Sequence, residues 1–436
     1  MKKALILLGL IVCCSACTAP SLRYKKEIGR QLAAGNYKAA EQKLTDERKK
    51  HYAEKDATLF YLDRSAVLHD GRDYSASDAD LENAQYLIDQ LYTKSVSASA
   101  ARLLVNDLTT PYYAPAYEQA LTYYYRAMNF LAQDNLSAAL VEARKAVFFL
   151  DHLRADKKKG YNDDPFVQYF ASLVFESGGF RDDARIARQN SFNAYDKMGS
   201  FLKVSAPHFA VPPEANRLGE VILVHYNGLA PLKKTQSVQL AWGEALAVLN
   251  GAEEGTSSLS PEAQNALMAG LSGNAVTLAY PVFEDQPRLV ASSSVVVEGQ
   301  EYPTQLVSDV SAAAKTDLKE KMPGIMARLA SRAVSKQVLA VQARHAAAQA
   351  AKDDTVGELA GMLVSALGAA VEKADTRQWF TLPEQIRMSR IFLTPGTHDI
   401  KLLFRDGFGN IVGEYTFENV TVGRGNRVFL HYRTSR

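Results

Sequence analysis

The stretch "APHFAVPPEANRLGE" (206–220) divides this chain more sharply than any other. Pro207, Pro212 and Pro213 fix φ and remove backbone donors, so neither a helix nor a central strand runs across it. Before the divide the apolar residues recur at helical spacing; after it, β-branched and alternating runs are mixed with helical ones. A chain of 436 residues exceeds what one core serves, so two or three domains are expected. The expected class is α+β: an all-α N-terminal domain, a mixed α/β region, and a small C-terminal β-sandwich-like module.

The first half reads as helical hairpins. In "YYYRAMNFLAQDNLSAALVEARKAVFFL" (123–150), Ala127, Ala139 and Ala146 are small residues placed where two antiparallel helices cross closely. A second unit, 28–44, has a Gly35-Asn36-Tyr37 turn and Ala40 at the crossing, and 61–88 and 167–192 repeat the plan with altered turns. The spacing resembles the tetratricopeptide repeat, which implies stacked hairpins with a partner-binding groove; an irregular helical domain without a groove is the alternative. Strands are predicted in 219–229, 274–283 and 288–302, and a long helix from about Val310 to Val371, broken at Met322-Pro323-Gly324. Four short strands are predicted within 389–432. The expected organisation is therefore a helical-repeat domain 17–205, a mixed strand region 215–310, a long helical region 311–373 and a β module 384–436.

The N-terminus bears on location. Met1-Lys2-Lys3 is basic and Ala4 to Val12 is apolar, the order of a secretory signal and too short to span a bilayer. Cys13, Cys14 and Cys17 are the only cysteines. Their C-x-x-C spacing lacks the βαβ surroundings of a redox dithiol and the second pair of a zinc site. "CSAC" resembles the lipobox of bacterial lipoproteins, which implies a signal peptide 1–16, diacylation of Cys17, and a mature chain without thiols. Thr18 after the cysteine implies, by the same resemblance, sorting to the outer membrane, facing the periplasm. Five residues, Thr18 to Leu22, reach about 17 Å and hold the body near the membrane. Removing Lys2 and Lys3 from 50 basic residues leaves 48 against 48 acidic, a balance that argues against a nucleic-acid partner.

Motif chemistry is sparse. The eight histidines form no i, i+3 or i+4 pair, and no G-x-S-x-G, Walker, S-x-x-K or dinucleotide-binding phrase occurs. No catalytic residue, metal or cofactor is expected. Six tyrosines crowd residues 112–125. Tyr112, Tyr113, Tyr117 and Tyr124 are the candidate partner-binding residues of the groove, with core packing the competing role for most of them. Arg328, Arg332 and Lys336 recur on one helix face, either solvated or facing anionic lipid. "VGELAGMLVSALGAAV" (356–371) is too short to cross a bilayer and suits close helix packing, within the chain or between copies.

"ADTRQWFTLP" (374–383) carries Trp379, one of two tryptophans. Asp375 and Arg377 are expected to pair at a helix end while Trp379 plugs a junction between domains. Asp375, Thr376, Arg377, Trp379, Leu382 and Pro383, followed by Pro395, Gly396 and His398, form a phrase that resembles a family of bacterial outer-membrane lipoproteins with a tetratricopeptide-like N-terminal half. The resemblance implies no particular activity. The expected function is a non-enzymatic, lipid-anchored scaffold for a periplasmic or outer-membrane protein. A subunit of an envelope assembly or export complex, oligomerising through 310–371, and a glycan-directed enzyme are the alternatives. The partner and the oligomeric state are not legible.

Overall fold

The computed structural model describes residues 21–95, 108, 110–155, 163–241, 275–351, 355 and 373–435. The signal segment, Cys17 and 356–371 lie outside them. The molecule is mixed helix and sheet, helices in the N-terminal half and strands in the C-terminal half. The helices are α1 (Leu22–Ala33), α2 (Tyr37–Asp46), α3 (Arg48–His51), α4 (Ala57–Asp70), α5 (Tyr74–Ser95), α6 (Ala116–Leu131), α7 (Leu136–Ala155), α8 (Pro165–Ser177) and α9 (Arg181–Leu202). Ser21 caps α1 by accepting from Tyr24 N–H at 3.2 Å, and Asp164 caps α8 by accepting from Val167 N–H at 2.9 Å.

Four hairpin turns share one geometry. Gly35, Arg72, Asp134 and Gly179 all adopt left-handed backbone, with φ of 73°, 65°, 55° and 77°. In each turn the next N–H reaches back five residues: Asn36 to Gln31, Asp73 to Leu68, Asn135 to Phe130 and Phe180 to Phe175, at 2.8–2.9 Å. This closure satisfies a carbonyl that the helix end leaves open. The hairpin helices pack in pairs, and α6 also touches both α4 and α8. Ala40, Ala127, Ala139 and Ala146 are all buried.

The strands are β1 (Gly219–Asn227), β2 (Leu232–Ala241), β3 (Ala275–Glu284), β4 (Ser292–Val297), β5 (Gln300–Pro303), β6 (Gln305–Asp309), β7 (Gln385–Leu393), β8 (Gly396–Arg405), β9 (Ile411–Val422) and β10 (Arg427–Thr434). They form one sheet ordered β10-β1-β7-β6, a second ordered β5-β4-β8-β9, and the ribbon β2-β3. The four C-terminal strands therefore do not make a sheet among themselves. β7 and β10 flank β1, with β10 parallel to it, while β8 and β9 extend β4. The expected boundaries at 310 and 384 do not separate the sheets, because β1 and β6 pair with β7, and β4 with β8, across both of them.

Every residue of β1 is buried. Ile222, Val224 and Tyr226 join the helices in one apolar cluster; Val221 and Leu223 join Val295, Ile400 and Leu402 of the second sheet in another. The first sheet is thus covered by helices on one face and by the second sheet on the other. The expected helix break is also absent. Met322, Pro323 and Gly324 lie inside α10 (Val310–Ala351). A proline there costs about 3 kcal/mol. Buried Ala327, Leu329, Ala330 and Ala333 follow it, in a helix packed on β3 and α9; we take this packing to outweigh the cost.

His225 joins the two sheets. It is fully buried, with Nδ1 2.8 Å from Ser293 Oγ and Nε2 2.8 Å from Thr434 Oγ1. Burial, with the Arg387 charge adding to it, lowers its pKa from 6.5 to about 3. The unfolded chain then binds the proton first, so His225 supports the fold fully above pH 6.5 and progressively less as pH falls toward 3. His225→Gln removes that slope. Urea midpoints at pH 7.5 and 5.0 should show the penalty of the substitution shrinking by about 2 kcal/mol at the lower pH; an unchanged penalty contradicts the assignment.

Candidate functional site

Residues 374–383 have no helical or strand period, and Pro383 bars a ladder. The segment has no regular structure, yet Arg377 to Pro383 are buried. Peptide groups removed from water need partners, and here charged side chains from five different elements supply them. The Thr376 carbonyl accepts from Lys25 Nζ of α1 at 2.7 Å, and the Arg377 carbonyl from Lys233 Nζ of β2 at 3.0 Å. Trp379 N–H donates to Glu118 of α6 at 3.1 Å, and Phe380 N–H to Asp63 of α4 at 3.0 Å. Arg433 of β10 donates to the Thr381 and Leu382 carbonyls at 2.8 and 3.1 Å, and to Asp70 at 2.9 Å. Arg377 itself is clamped by Asp375 (2.7 Å) and by Asp56 (2.6 Å). Trp379 is 1% exposed, packs near Tyr125 and donates its indole N–H to Thr381.

The electrostatics follow from depth. Burial pushes the Glu118 carboxyl up, against hydrogen bonds from Tyr112 and the Trp379 N–H. Burial likewise pushes Asp63 well up, opposed by the Tyr52 hydroxyl and the Lys25 charge, and it pulls Lys25 down to about 8. Asp375 is the exception: burial would raise it, but Arg377 outweighs burial and holds it below the ordinary range.

The sequence candidates separate into three settings. Tyr124 lies in the core, 1% exposed, bonded through its hydroxyl to Tyr226 (2.8 Å) and edge-on to Phe166 and Phe170; it lines no groove. The inner faces of α4, α6 and α8 are covered by β1 and β10 of the same chain, so a groove expected there is filled internally. Tyr112 and Tyr117 donate to Glu118 at 2.6 and 3.1 Å and so brace the carboxylate that holds Trp379. Tyr113 is 41% exposed. Asp375, Arg377 and Trp379 come together on the buried segment. Lys25, Asp63, Glu118, Lys233 and Arg433 escape sequence reasoning. The one local signal is at Asp63, a carboxylate with apolar residues from Leu59 to Leu62 before it and from Ala66 to Leu68 after it.

A second polar layer lies beside this one. His69 and His431 stack at 4.2 Å; His69 contacts Asn129 Oδ1 (2.6 Å) and Tyr226 hydroxyl (3.1 Å), and His431 contacts Tyr74 hydroxyl (3.0 Å). Burial lowers the pKa of His69 to about 4. These contacts tie α4, α5 and α6 to β1 and β10.

A cleft of about 270 Å³ opens between the 110–117 segment, the ribbon, α10 and residues 373–377. Tyr112, Tyr113, Tyr117 and Phe283 form its aromatic walls, and Lys233, Lys321, Arg328, Arg332, Lys373 and Arg377 its cationic ones. Among the described residues no group of three or more His, Cys, Asp or Glu is placed to hold a metal ion, and no helix is long and apolar enough to cross a membrane. Lys336 lies in α10, outside the residues whose side chains are described. Compared with protein-family models, curated proteins and solved structures, the chain matches none.

Removing one tie leaves the group it held uncompensated. Asp63→Ala strands the Tyr52 hydroxyl, the Phe380 N–H and the Lys25 charge, and should cost about 3–5 kcal/mol. Asp63→Asn keeps an acceptor and should cost clearly less. Urea unfolding measures both, and trypsin cleavage at Arg377 should accelerate in the alanine variant; equal stability of the two variants would refute the tie.

Proposed function

We propose that this chain is a non-enzymatic, lipid-anchored protein of the bacterial outer membrane, facing the periplasm, that serves as a scaffold for a partner protein. The basic and apolar residues before Cys17 support the anchor. We also read the helical half as degenerate tetratricopeptide-like hairpins, on the strength of the four matching turns and the contacts of α6 with α4 and α8, and the two packed sheets as a sandwich.

One observation carries the scaffold reading: the aromatic and cationic cleft beside the buried segment. The inner helical face, where such a repeat would receive a partner, is taken by the chain's own strands, so binding moves to the cleft at the edge. Its titratable neighbours Glu118, Asp63, Asp56 and Arg377 are engaged in holding backbone or one another, which favours binding over turnover.

A palmitate analogue should label the wild type and not Cys17→Ser; equal labelling removes the anchor. A photo-crosslinking residue at Tyr113 should yield a discrete protein adduct in intact cells that the same residue at exposed Lys38 does not. Failure to trap any adduct from position 113 under all growth conditions counts against the scaffold.

A further inference from the structure

The cleft has a charge pattern that narrows what it holds. Among the described lining residues, six cations stand against two carboxylates, Asp317 and Asp375. Asp375 belongs to Arg377, and Asp317 lies 2.8 Å from Lys321. Lys233 Nζ bonds a carbonyl, that of Arg377, and pairs with no carboxylate of the described residues. Its ammonium lies 5.4 Å from the Phe283 ring centroid. Burial, partly offset by more distant acids, holds its pKa below the ordinary lysine value.

Geometry separates the candidate anions. From Lys321 to Arg332, α10 rises about 16 Å at 1.5 Å per residue, too long for one phosphate. Arg328 and Arg332 are one turn apart, about 6 Å, close to the roughly 6.6 Å between alternate side chains of an extended peptide. Arg332 and Arg377 are recessed, 6% and 2% exposed, beyond the reach of a flat bilayer surface. The walls add Pro111, Pro115 and Pro281 beside Tyr112, Tyr113 and Phe283, rigid flat surfaces that grip an extended chain at small entropic cost.

Resting on the scaffold reading, we infer that the cleft binds an extended acidic peptide segment of the partner protein, with alternate carboxylates on the α10 cations and the backbone against the proline and tyrosine wall. The α10 cations supply charge complementarity and orientation, and the half-buried Lys233 faces one end of the bound segment.

Full-length protein in detergent, titrated with a fluorescent heptapeptide carrying glutamate at alternate positions, tests this. Binding should saturate, weaken at least tenfold for the all-glutamine peptide, and weaken with added salt. The double variant Lys321→Glu/Arg328→Glu should keep a cooperative thermal transition and lose at least tenfold in affinity. Lys38→Glu should change neither. Equal binding of the two peptides, or of wild type and double variant, overturns the inference. So does preference for phosphatidylglycerol vesicles or inorganic phosphate over the peptide, which would assign the cleft to lipid or phosphate. A position-113 adduct that survives the double variant would leave the scaffold standing and remove only the acidic segment.

Discussion

The structure depends on satisfying a stretch of chain that is buried without being helix or strand. Residues 376–382 expose carbonyls and N–H groups to the interior, and no ladder is available to them. Neutral side chains would serve, but their hydrogen bonds are weaker than those to charged groups. Lys25, Asp63, Glu118, Lys233 and Arg433 come from α1, α4, α6, β2 and β10. The segment thereby becomes the common partner of elements that share few other contacts, and a fault in any one leaves a buried charge behind.

That arrangement ties the helical half to the sheets. β1 cannot be a surface strand, since Val221 and Leu223 need the second sheet while Ile222, Val224 and Tyr226 need the helices. Its parallel neighbour β10 begins about two hundred residues later in the chain, so the first sheet closes only when the last strand arrives. Pairings of such long sequence separation carry a large loop-closure cost and form late. The His69–His431 stack and the Asp70–Arg433 pair join α4 to β10 in the same layer. The C-terminal strand is thus both the final piece of the sheet and the seal on the helices.

How far the sequence could be read follows from the range of each interaction. Helices, strands and the shift near Pro212 are local, and their periods are visible in the residues. The left-handed turns are half visible: Gly35 and Gly179 announce themselves, whereas Arg72 and Asp134 take the same backbone without a glycine. Pro323 misleads because its local preference is set against burial of Ala327 and Ala330 on elements far along the chain. Tyr124 misleads because an aromatic on a helix face reads alike whether it meets a partner or the chain's own Tyr226. Asp63 and Glu118 could not be paired with 379–380 at all, since their partners are backbone groups about 320 and 260 residues away, respectively, that carry no sequence signature.

The cleft is a by-product of the same solution. The segment turns inward at Asp375 and Arg377, and the charges that anchor it there also line the opening. Lys233 and Arg377 serve both ends: each holds part of the buried segment and each forms cleft wall. Stability and cleft chemistry are therefore coupled at those two residues, and neither can be altered without touching the other. Lys321 and Arg328 sit on α10, and Lys321 pairs with Asp317 of the same helix. The α10 cations belong to a different stretch of chain from the buried segment, so the charge of the cleft and the ties of the segment can be altered by separate substitutions.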